Sequence, residues 1–402
     1  MKQCDIFLMY DESSPKISII KQTAHSVKSS IQLLTSFTAF DENIALIDTK
    51  PNLNYLMNES SGKLSTHQLK TCTNLAIRLV SVFQALNEYP NIRVLRKNEF
   101  CRNIGVLFQK HFETTTHQEY KANVTLIIVD RSIDMLTPIV HSCKFEEFVV
   151  QELEREYNTE DATIDQLLRD VIISKVCDTL IEVSKSVQED NKNSKQMREK
   201  QKALAKHTEN VNRLSKKLKR GYVSLLTVES QILDEKKSKT EKESVIKKML
   251  KLGHKEIEPL DVIRLLTIHA MADDPLKIRW RKLLKNKKQL NSAEKDQIVQ
   301  YTQIAKQAEK LNNVSFQSLS KTPMIAKIIS DFKLSSLDTE MFPVVHGNKE
   351  PRKKVFIFMV GGLSFGELQY SRFQGKVDPT VVICSDAIVT PRILFEYLFP
   401  HF

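Results

Sequence analysis

The chain has 402 residues, of which 41% are hydrophobic and 27% charged, and this composition excludes a disordered or collagen-like protein. The length suffices for two or three domains with cores of their own. Lysine and arginine outnumber aspartate and glutamate by 60 to 49, a formal net charge of +11, so we expect an anionic partner.

The six cysteines lie far apart and form no CxxC pair. This spacing counts against a zinc site or a disulfide framework and favours reduced thiols in the cytosol. No apolar run approaches the roughly 20 residues that cross a bilayer. The N-terminus has neither the long apolar run nor the cleavage site of a signal peptide. We therefore expect a soluble, cytoplasmic protein that reaches membranes only through a partner.

Both ends of the chain alternate between strand-like and helix-like segments. Short apolar runs without alternation predict strands buried on both faces of a sheet, at residues 5–10, 44–48, 124–130, 355–360 and 381–384. Apolar residues at helical spacing predict helices between them, at residues 69–86, 103–112, 145–153 and 366–373. This alternation indicates α/β domains with doubly wound parallel sheets.

The middle of the chain is predicted to be all-α. From about residue 161 to residue 330 there are helical patterns and no convincing strand. A seven-residue apolar spacing predicts one stripe on a long helix, formed by Met197, Leu204, Val211, Leu218, Leu225 and Ile232. Gly221 interrupts this run and marks a possible break or hairpin, because glycine costs about 1 kcal/mol in a helix interior.

The same middle region carries the charge excess. Residues 191–255 hold 19 lysines and arginines against 7 acids, and a second basic run covers residues 277–288. A solvated lysine face is the simplest explanation. The apolar stripe beside these charges favours a partner helix with acidic flanks. Nucleic acid is the rival partner, but Tyr222 and Trp280 are the aromatic residues there, so stacking surfaces are sparse.

The segment from residue 124 to residue 141, VTLIIVDRSIDMLTPIVH, is the most informative one. Its polar residues Asp130, Arg131 and Asp134 could form a catalytic acid pair with an arginine clamp. A buried strand end with paired and hydrogen-bonded charges is the favoured alternative. It predicts that Arg131→Ala unfolds or aggregates the protein. His141 has no metal-ligand partner at the usual spacing and is expected to be a hydrogen-bonded structural residue.

No pattern for catalysis or for a cofactor is present. The run VGGLSFGE after the strand at 355–360 lacks both GxGxxG and GxxxxGK[ST], so it predicts a tight strand-to-helix turn rather than a phosphate loop. No serine lies in a GxSxG context, and no metal site is predicted. We expect neither an enzyme nor a cofactor-binding protein.

Four segments, in order, resemble the SM family of syntaxin-binding proteins (the Sec-one/Munc-eighteen type). They are a run EYPNIR at 88–93, a DR..D...P..H signature, a segment at 322–343 and a closing α/β unit at 355–391. The signature residues here are Asp130, Arg131, Asp134, Pro138 and His141, followed by Phe145.

The resemblance implies α/β domains that form an arch with a mostly helical third domain. Mapped on this chain, residues 1–40 are part of the first domain. Residues 41–178 and 345–402 form the second domain, and residues 179–344 the helical one. The family's first domain is longer than 40 residues, so the resemblance implies a chain that begins within it.

In the family, a hairpin of the helical domain templates SNARE assembly, and the resemblance maps it to residues 192–233. The implied apolar SNARE contacts are Leu204, Val211, Leu214, Leu218, Leu225 and Val228. The implied electrostatic rim is Lys206, Arg213, Lys216 and Lys217. A pocket for a syntaxin N-terminal peptide is implied near Ile20 and Ile31.

The implied function is binding of a syntaxin-type SNARE and of the assembled SNARE bundle, by a monomer that promotes vesicle fusion. The EYPNIR run and the 322–343 segment lean toward the secretory branch, and an endosomal or Golgi branch is the close alternative. A basic nucleic-acid-binding scaffold is the alternative from another class of protein. No nucleic acid is expected as a partner.

Overall fold

The computed structural model describes residues 6–10, 27–32, 37–53, 55–56, 63–115, 119–151, 153, 157–189, 195–217, 223–252, 259–272, 292–312, 322–348 and 352–398. By its internal contacts the chain divides into two compact units. The first unit holds residues 1–133, 324–363 and 370–388, and the second holds residues 134–323, 364–369 and 389–402. The three domains and their boundaries from the sequence stay predictions.

A seven-stranded sheet organises the first unit, in the spatial order β3-β4-β9-β8-β6-β5-β7. The five inner strands run parallel, and β3 and β7 pair antiparallel at the two edges. The strands are β3 (Thr38–Asp41), β4 (Ile44–Leu46), β5 (Asn91–Val94), β6 (Val124–Asp130), β7 (Val344–His346), β8 (Lys354–Val360) and β9 (Val381–Ser385). The predicted α/β class is confirmed, whereas β3, β5 and β7 escaped prediction.

The central strands are apolar because helices and loops cover both faces of the sheet. All seven residues of β6 are buried, as are six of the seven residues of β8. Their register places Asp130 opposite Val360, so the chain segments that follow both strands leave the same edge of the sheet. This carboxyl edge is where α/β proteins bring side chains from different strands together.

Two long helices of the first unit pack against each other, α1 (Thr66–Leu86) and α2 (Glu99–Thr115). Ser65 and Gln68 form a capping box at the start of α1, which satisfies amide groups that the first turn leaves without partners. A separate pair of parallel strands, β1 (Ile6–Tyr10) and β2 (Val27–Gln32), forms a two-stranded sheet. The predicted strand at 5–10 is therefore present.

The second unit is helical. Its helices are α3 (Phe145–Gln151), α4 (Ala162–Arg169), α5 (Val176–Glu189), α6 (Lys195–Lys217), α7 (Val223–Leu233), α8 (Lys239–Leu252), α9 (Pro259–Ala272), α10 (Ser292–Asn312) and α13 (Pro391–Leu398). Two further helices are α11 (Met324–Lys333) in the first unit and α12 (Phe365–Val377), which continues from the second unit into the first. Between 161 and 323, the described residues contain no strand, as predicted.

The described members of the seven-residue stripe are divided between two helices, with Met197, Leu204 and Val211 on α6 and Leu225 and Ile232 on α7. The sequence predicted one long helix with a break or hairpin possible at Gly221. α6 packs against α3, α4 and α5, whereas α7 packs against α8 and α9. Gly221 belongs to residues 218–222, which separate α6 from α7 and lie outside the described residues. The two helices therefore turn their apolar side chains toward different neighbours.

Candidate functional site

The end of β6 buries a carboxylate. Asp130 is fully buried, and its Oδ1 accepts hydrogen bonds from the backbone N–H (3.1 Å) and the hydroxyl (2.5 Å) of Ser132. The side-chain amide of Asn98 donates to its other oxygen. Burial raises the pKa of Asp130 to about 6, although these hydrogen bonds and the charge of Arg131 favour the ionised form.

Replacing Asp130 with asparagine is expected to change how stability depends on pH. The folded-state pKa of Asp130 lies above its unfolded value of about 4, so the contribution of Asp130 is full below that value and is lost as pH rises through about 6. Relative to Asp130→Asn, the wild type should be more stable at pH 5 than at pH 8 by about 1.5 kcal/mol. Urea unfolding of both proteins at the two pH values measures this change. A pH-independent difference would contradict it.

Arg131 follows directly and is also fully buried. Its backbone N–H donates to the hydroxyl of Tyr55 (2.8 Å), and its guanidinium donates to the carbonyl of Gly362 (3.0 Å). Gly361 has a positive φ of 93°, and a Cβ added there would lie 2.7 Å from the Tyr55 hydroxyl and 2.9 Å from Cβ of Arg131. The chain thus needs glycine at 361 to pass close to Arg131.

The turn after β8 resembles an anion-binding loop, but a side chain of the same protein occupies it. The buried carboxylate of Asp386 accepts hydrogen bonds from the backbone N–H groups of Gly361 (3.0 Å) and Gly362 (2.7 Å). The backbone N–H of Asn52 donates to it as well (2.6 Å). These amide groups are already satisfied, which argues against a phosphate loop at this turn.

The loop from Asp134 to His141 forms hydrogen bonds with three helices of the second unit, α7, α9 and α10. Asp134 itself accepts hydrogen bonds from the backbone N–H and the hydroxyl of Thr137 (2.9 and 2.6 Å), which stabilises the turn that contains Pro138. Tyr301 of α10 donates to the carbonyl of Met135 (2.7 Å). Helices α7 and α9 contact the same loop at its far end.

Those two helices meet the loop through a buried ionic cluster. Glu229 of α7 accepts from the backbone N–H of His141 (2.6 Å), and its other oxygen lies 3.1 Å from the His141 ring. Arg264 of α9 lies 2.8 Å from the same oxygen and donates to the carbonyl of Ile139 (3.2 Å). Burial opposes ionisation of Glu229, but Arg264 and His141 outweigh it, so the pKa of Glu229 is lowered. His141 is thus part of a hydrogen-bonded, buried cluster.

The sequence did not single out Glu229, Arg264 or Tyr301. Glu229 is the one acid in VSLLTVESQIL, and Arg264 is the one arginine in PLDVIRLLTIHAMA. A charge in a mostly apolar helix is a usable signal, because a buried charge persists only with a partner; Asp261, three residues before Arg264, is one such partner at 3.5 Å. The pairing of Glu229 with Arg264 cannot be read from the sequence, since it depends on how α7 and α9 pack.

The apolar residues predicted to contact a SNARE lie inside the second unit. Val211, Leu214, Leu225 and Val228 are buried, and Leu204 is half-buried. They pack within the protein because α6 and α7 turn these side chains toward neighbouring helices. In this conformation they do not form an open apolar surface, and their contact with a SNARE stays a prediction.

Only part of the predicted electrostatic rim is exposed at the surface. Arg213 and Lys216 are exposed and Lys206 is half-buried, its Nζ donating to the carbonyl of Asn158 (2.7 Å). Leu218 and Ile20 lie outside the described residues. The positions of Lys217 in α6 and Ile31 in β2 are described, but their side chains are not.

No group of three or more histidine, cysteine, aspartate or glutamate side chains is placed to hold a metal ion among the residues that the structure describes. Within the same residues, no helix is long and apolar enough to span a bilayer.

Comparison with solved structures identifies the same fold at low sequence identity. The SM protein Vps45, solved in complex with the Qa SNARE Tlg2, has a TM-score of 0.78 at 13% identity, covering 98% of this chain and 81% of that one. Sly1p with an N-terminal peptide of Sed5p has a TM-score of 0.72 at 14% identity, covering 97% and 79%. The Unc18–syntaxin 1 complex from Monosiga brevicollis has a TM-score of 0.65 at 16% identity, covering 95% and 80%.

A curated relative from Dictyostelium discoideum, protein transport protein sec1, is 28% identical over 153 residues. The match covers 36% of this chain and 25% of that relative, so it spans about a quarter of the relative's length. The family model described as the Sec1 family matches residues 2–396, nearly the whole chain. The chain therefore belongs to the Sec1 family.

Proposed function

We propose that this chain is an SM-type regulator of vesicle fusion, which binds a syntaxin-type SNARE and templates assembly of the SNARE complex. The match of the Sec1 family model over residues 2–396 carries the proposal. The solved relatives support it, since Vps45 was solved with the Qa SNARE Tlg2, Sly1p with an N-terminal peptide of Sed5p, and Unc18 with syntaxin 1. Binding energy would offset the ordering entropy of a disordered SNARE segment. The role is that of a non-enzymatic binding protein recruited to membranes peripherally.

The proposed contact surface is the region of α6 and α7. Arg213 and Lys216 are exposed and could pair with acidic flanks of a SNARE helix. Val211, Leu214, Leu225 and Val228 could contribute apolar contacts only after α6 and α7 move away from the helices that cover them. The rim is therefore the part of the surface available for first contact.

The test is a titration of the chain with cytosolic fragments of several syntaxin-type SNAREs, with and without their N-terminal peptides. We expect saturable binding of one fragment at physiological salt, which would also name the secretory, endosomal or Golgi step. Arg213→Gln with Lys216→Gln should weaken it about tenfold, because two rim charges are lost. A control with exposed lysines of the first unit changed, Lys110→Gln with Lys327→Gln, should bind as the wild type does.

Duplex DNA and RNA serve as competing ligands. Binding to nucleic acid alone, with a steep loss of affinity as salt rises, would favour the nucleic-acid scaffold instead. Equal weakening in the rim and control variants would mean that the rim is placed wrongly, while SNARE binding itself would stand.

A further inference from the structure

Helix α6 carries a cationic ridge, which we define as Lys195, Arg198, Lys202, Lys206, Arg213 and Lys216. At 100° per residue these six positions fall within an arc of about 80°, so they form one line along the helix. From the first to the last, the line is about 32 Å long at 1.5 Å per residue. The one other residue of α6 within this arc is Glu209, which pairs with Arg213 at 2.8 Å.

The ridge is exposed to solvent at several points. The side chains of Lys195, Lys202 and Arg213 are 92%, 69% and 56% exposed. The opposite side of the helix is buried within the second unit, through Ala203, His207, Asn210, Val211 and Leu214. Packing of α6 therefore fixes which face is presented, and that face is the cationic one.

We propose that the cationic ridge of α6 is a docking surface for an anionic phospholipid bilayer. The centre of a specific protein interface needs apolar or aromatic side chains, and the arc of the ridge contains only charged ones, so a SNARE helix could use the ridge only as a rim, at Arg213 and Lys216. A single nucleic-acid strand would need aromatic side chains for stacking, and the arc has none. An anionic membrane surface needs only positive charge presented along a line or plane. The complementary charge thus favours the membrane over a protein partner or a single nucleic-acid strand.

Ion pairs do not neutralise the ridge. Lys195 pairs with Glu199 at 3.8 Å, and Lys202 with Glu160 at 3.3 Å. Exposed pairs of this kind contribute little free energy, so lipid phosphates can replace the carboxylates at small cost. The 23 residues of α6 hold eight lysines and arginines against two acids, so the helix as a whole keeps a charge of +6.

The experiment is sedimentation of the full chain with vesicles of phosphatidylcholine alone or with about 30% phosphatidylserine. The ridge variant is Lys195→Gln, Arg198→Gln and Lys202→Gln, which leaves Arg213 and Lys216 of the proposed SNARE rim unchanged. The matched control carries the same loss of charge at exposed lysines of the first unit, as Lys110→Gln, Lys327→Gln and Lys353→Gln. Glutamine is a good helix former, so α6 should persist, and circular dichroism checks it.

We expect wild-type binding only to the anionic vesicles, with affinity that falls as salt rises. Each basic residue near an anionic surface changes partitioning about fivefold. The ridge variant loses three of them and should therefore bind at least about tenfold more weakly. The control should bind as the wild type does.

Three results would overturn the proposal: equal binding to phosphatidylcholine alone, equal weakening of both variants, or displacement of the chain from vesicles by an equal charge of RNA. If the ridge variant fails to fold, Lys195→Gln with Lys202→Gln, at two of the exposed positions, tests the proposal in its place. The experiment contains no SNARE, so its outcome is separate from that of the proposed function.

Discussion

Arg131→Ala is expected to lower the free energy of unfolding by about 4 kcal/mol, enough to leave much of the protein unfolded or aggregated at 37 °C. The guanidinium of Arg131 is fully buried and donates to the carbonyl of Gly362, which would lose this donor. The neighbouring carboxylate of Asp130 would lose the positive charge that favours its ionised form. The truncated side chain would also leave a cavity at the edge of the sheet.

Thermal and urea unfolding of Arg131→Ala measure this loss, with Arg102→Ala as the matched control. Arg102 lies on α2 with its side chain 66% exposed, so its removal should cost less than about 0.5 kcal/mol. Arg131→Lys keeps the charge but not the geometry of the guanidinium, and its stability should lie between the other two. A well-folded Arg131→Ala protein with a normal melting temperature would contradict a structural role and reopen the catalytic interpretation of this segment.

The bounds of β6, the strand that ends just before Arg131, could be predicted to the residue. β6 (VTLIIVD) is a mainly apolar run that ends in Asp130, and its seven residues are all buried, so the pattern of apolar residues defines its bounds. β5 escaped prediction because Asn91 and Arg93 make its four residues look like a loop. Both side chains are buried and satisfied by hydrogen bonds, from Asn91 to the carbonyl of Asn348 and from Arg93 to that of Phe342. Such partners, some 250 residues away in the sequence, leave no local signal.

Prediction of the candidate site in the helical region has the same limit, because the local sequence does not show what a side chain contacts. Val211, Leu225 and Ile232, which recur at seven-residue spacing, are buried. Periodicity cannot tell whether a partner helix or the protein's own helices cover them, because both need the same apolar stripe. In this structure the covering helices belong to the chain itself, α3 to α5 for α6 and α8 and α9 for α7.

The charged residues of the ridge differ from the apolar stripe, because charged side chains are normally exposed. Lys195, Lys202 and Arg213 recur at helical spacing, and nothing in the fold needs to be known to expect them at the surface. What the sequence lacks is the orientation of the helix. The buried residues Ala203, His207 and Leu214 supply it, since they define the inner face and hence the outer one.

Arg264→Ala is the second change for which we expect a large effect, a loss of about 3–5 kcal/mol in the free energy of unfolding. The side chains of Arg264 and Glu229 are 1% and 4% exposed, and Arg264 is the strongest influence that keeps Glu229 ionised. Without it, α7 would carry a buried carboxylate that keeps only its contacts with His141. The carbonyl of Ile139 would lose a donor as well.

The pH dependence of this loss identifies its cause. In the wild type the pKa of Glu229 is lowered, so its contribution is present above its unfolded value of about 4.3 and is lost as pH falls through the lower folded value. In Arg264→Ala burial should raise the pKa of Glu229 instead, and the variant should regain stability as pH falls from 8 to 5. The double variant Glu229→Gln with Arg264→Met removes both charges and should recover much of the loss at pH 8. A deficit that is the same at both pH values, and is not relieved in the double variant, would mean that packing volume rather than charge pairing joins α7 and α9 to the loop at His141.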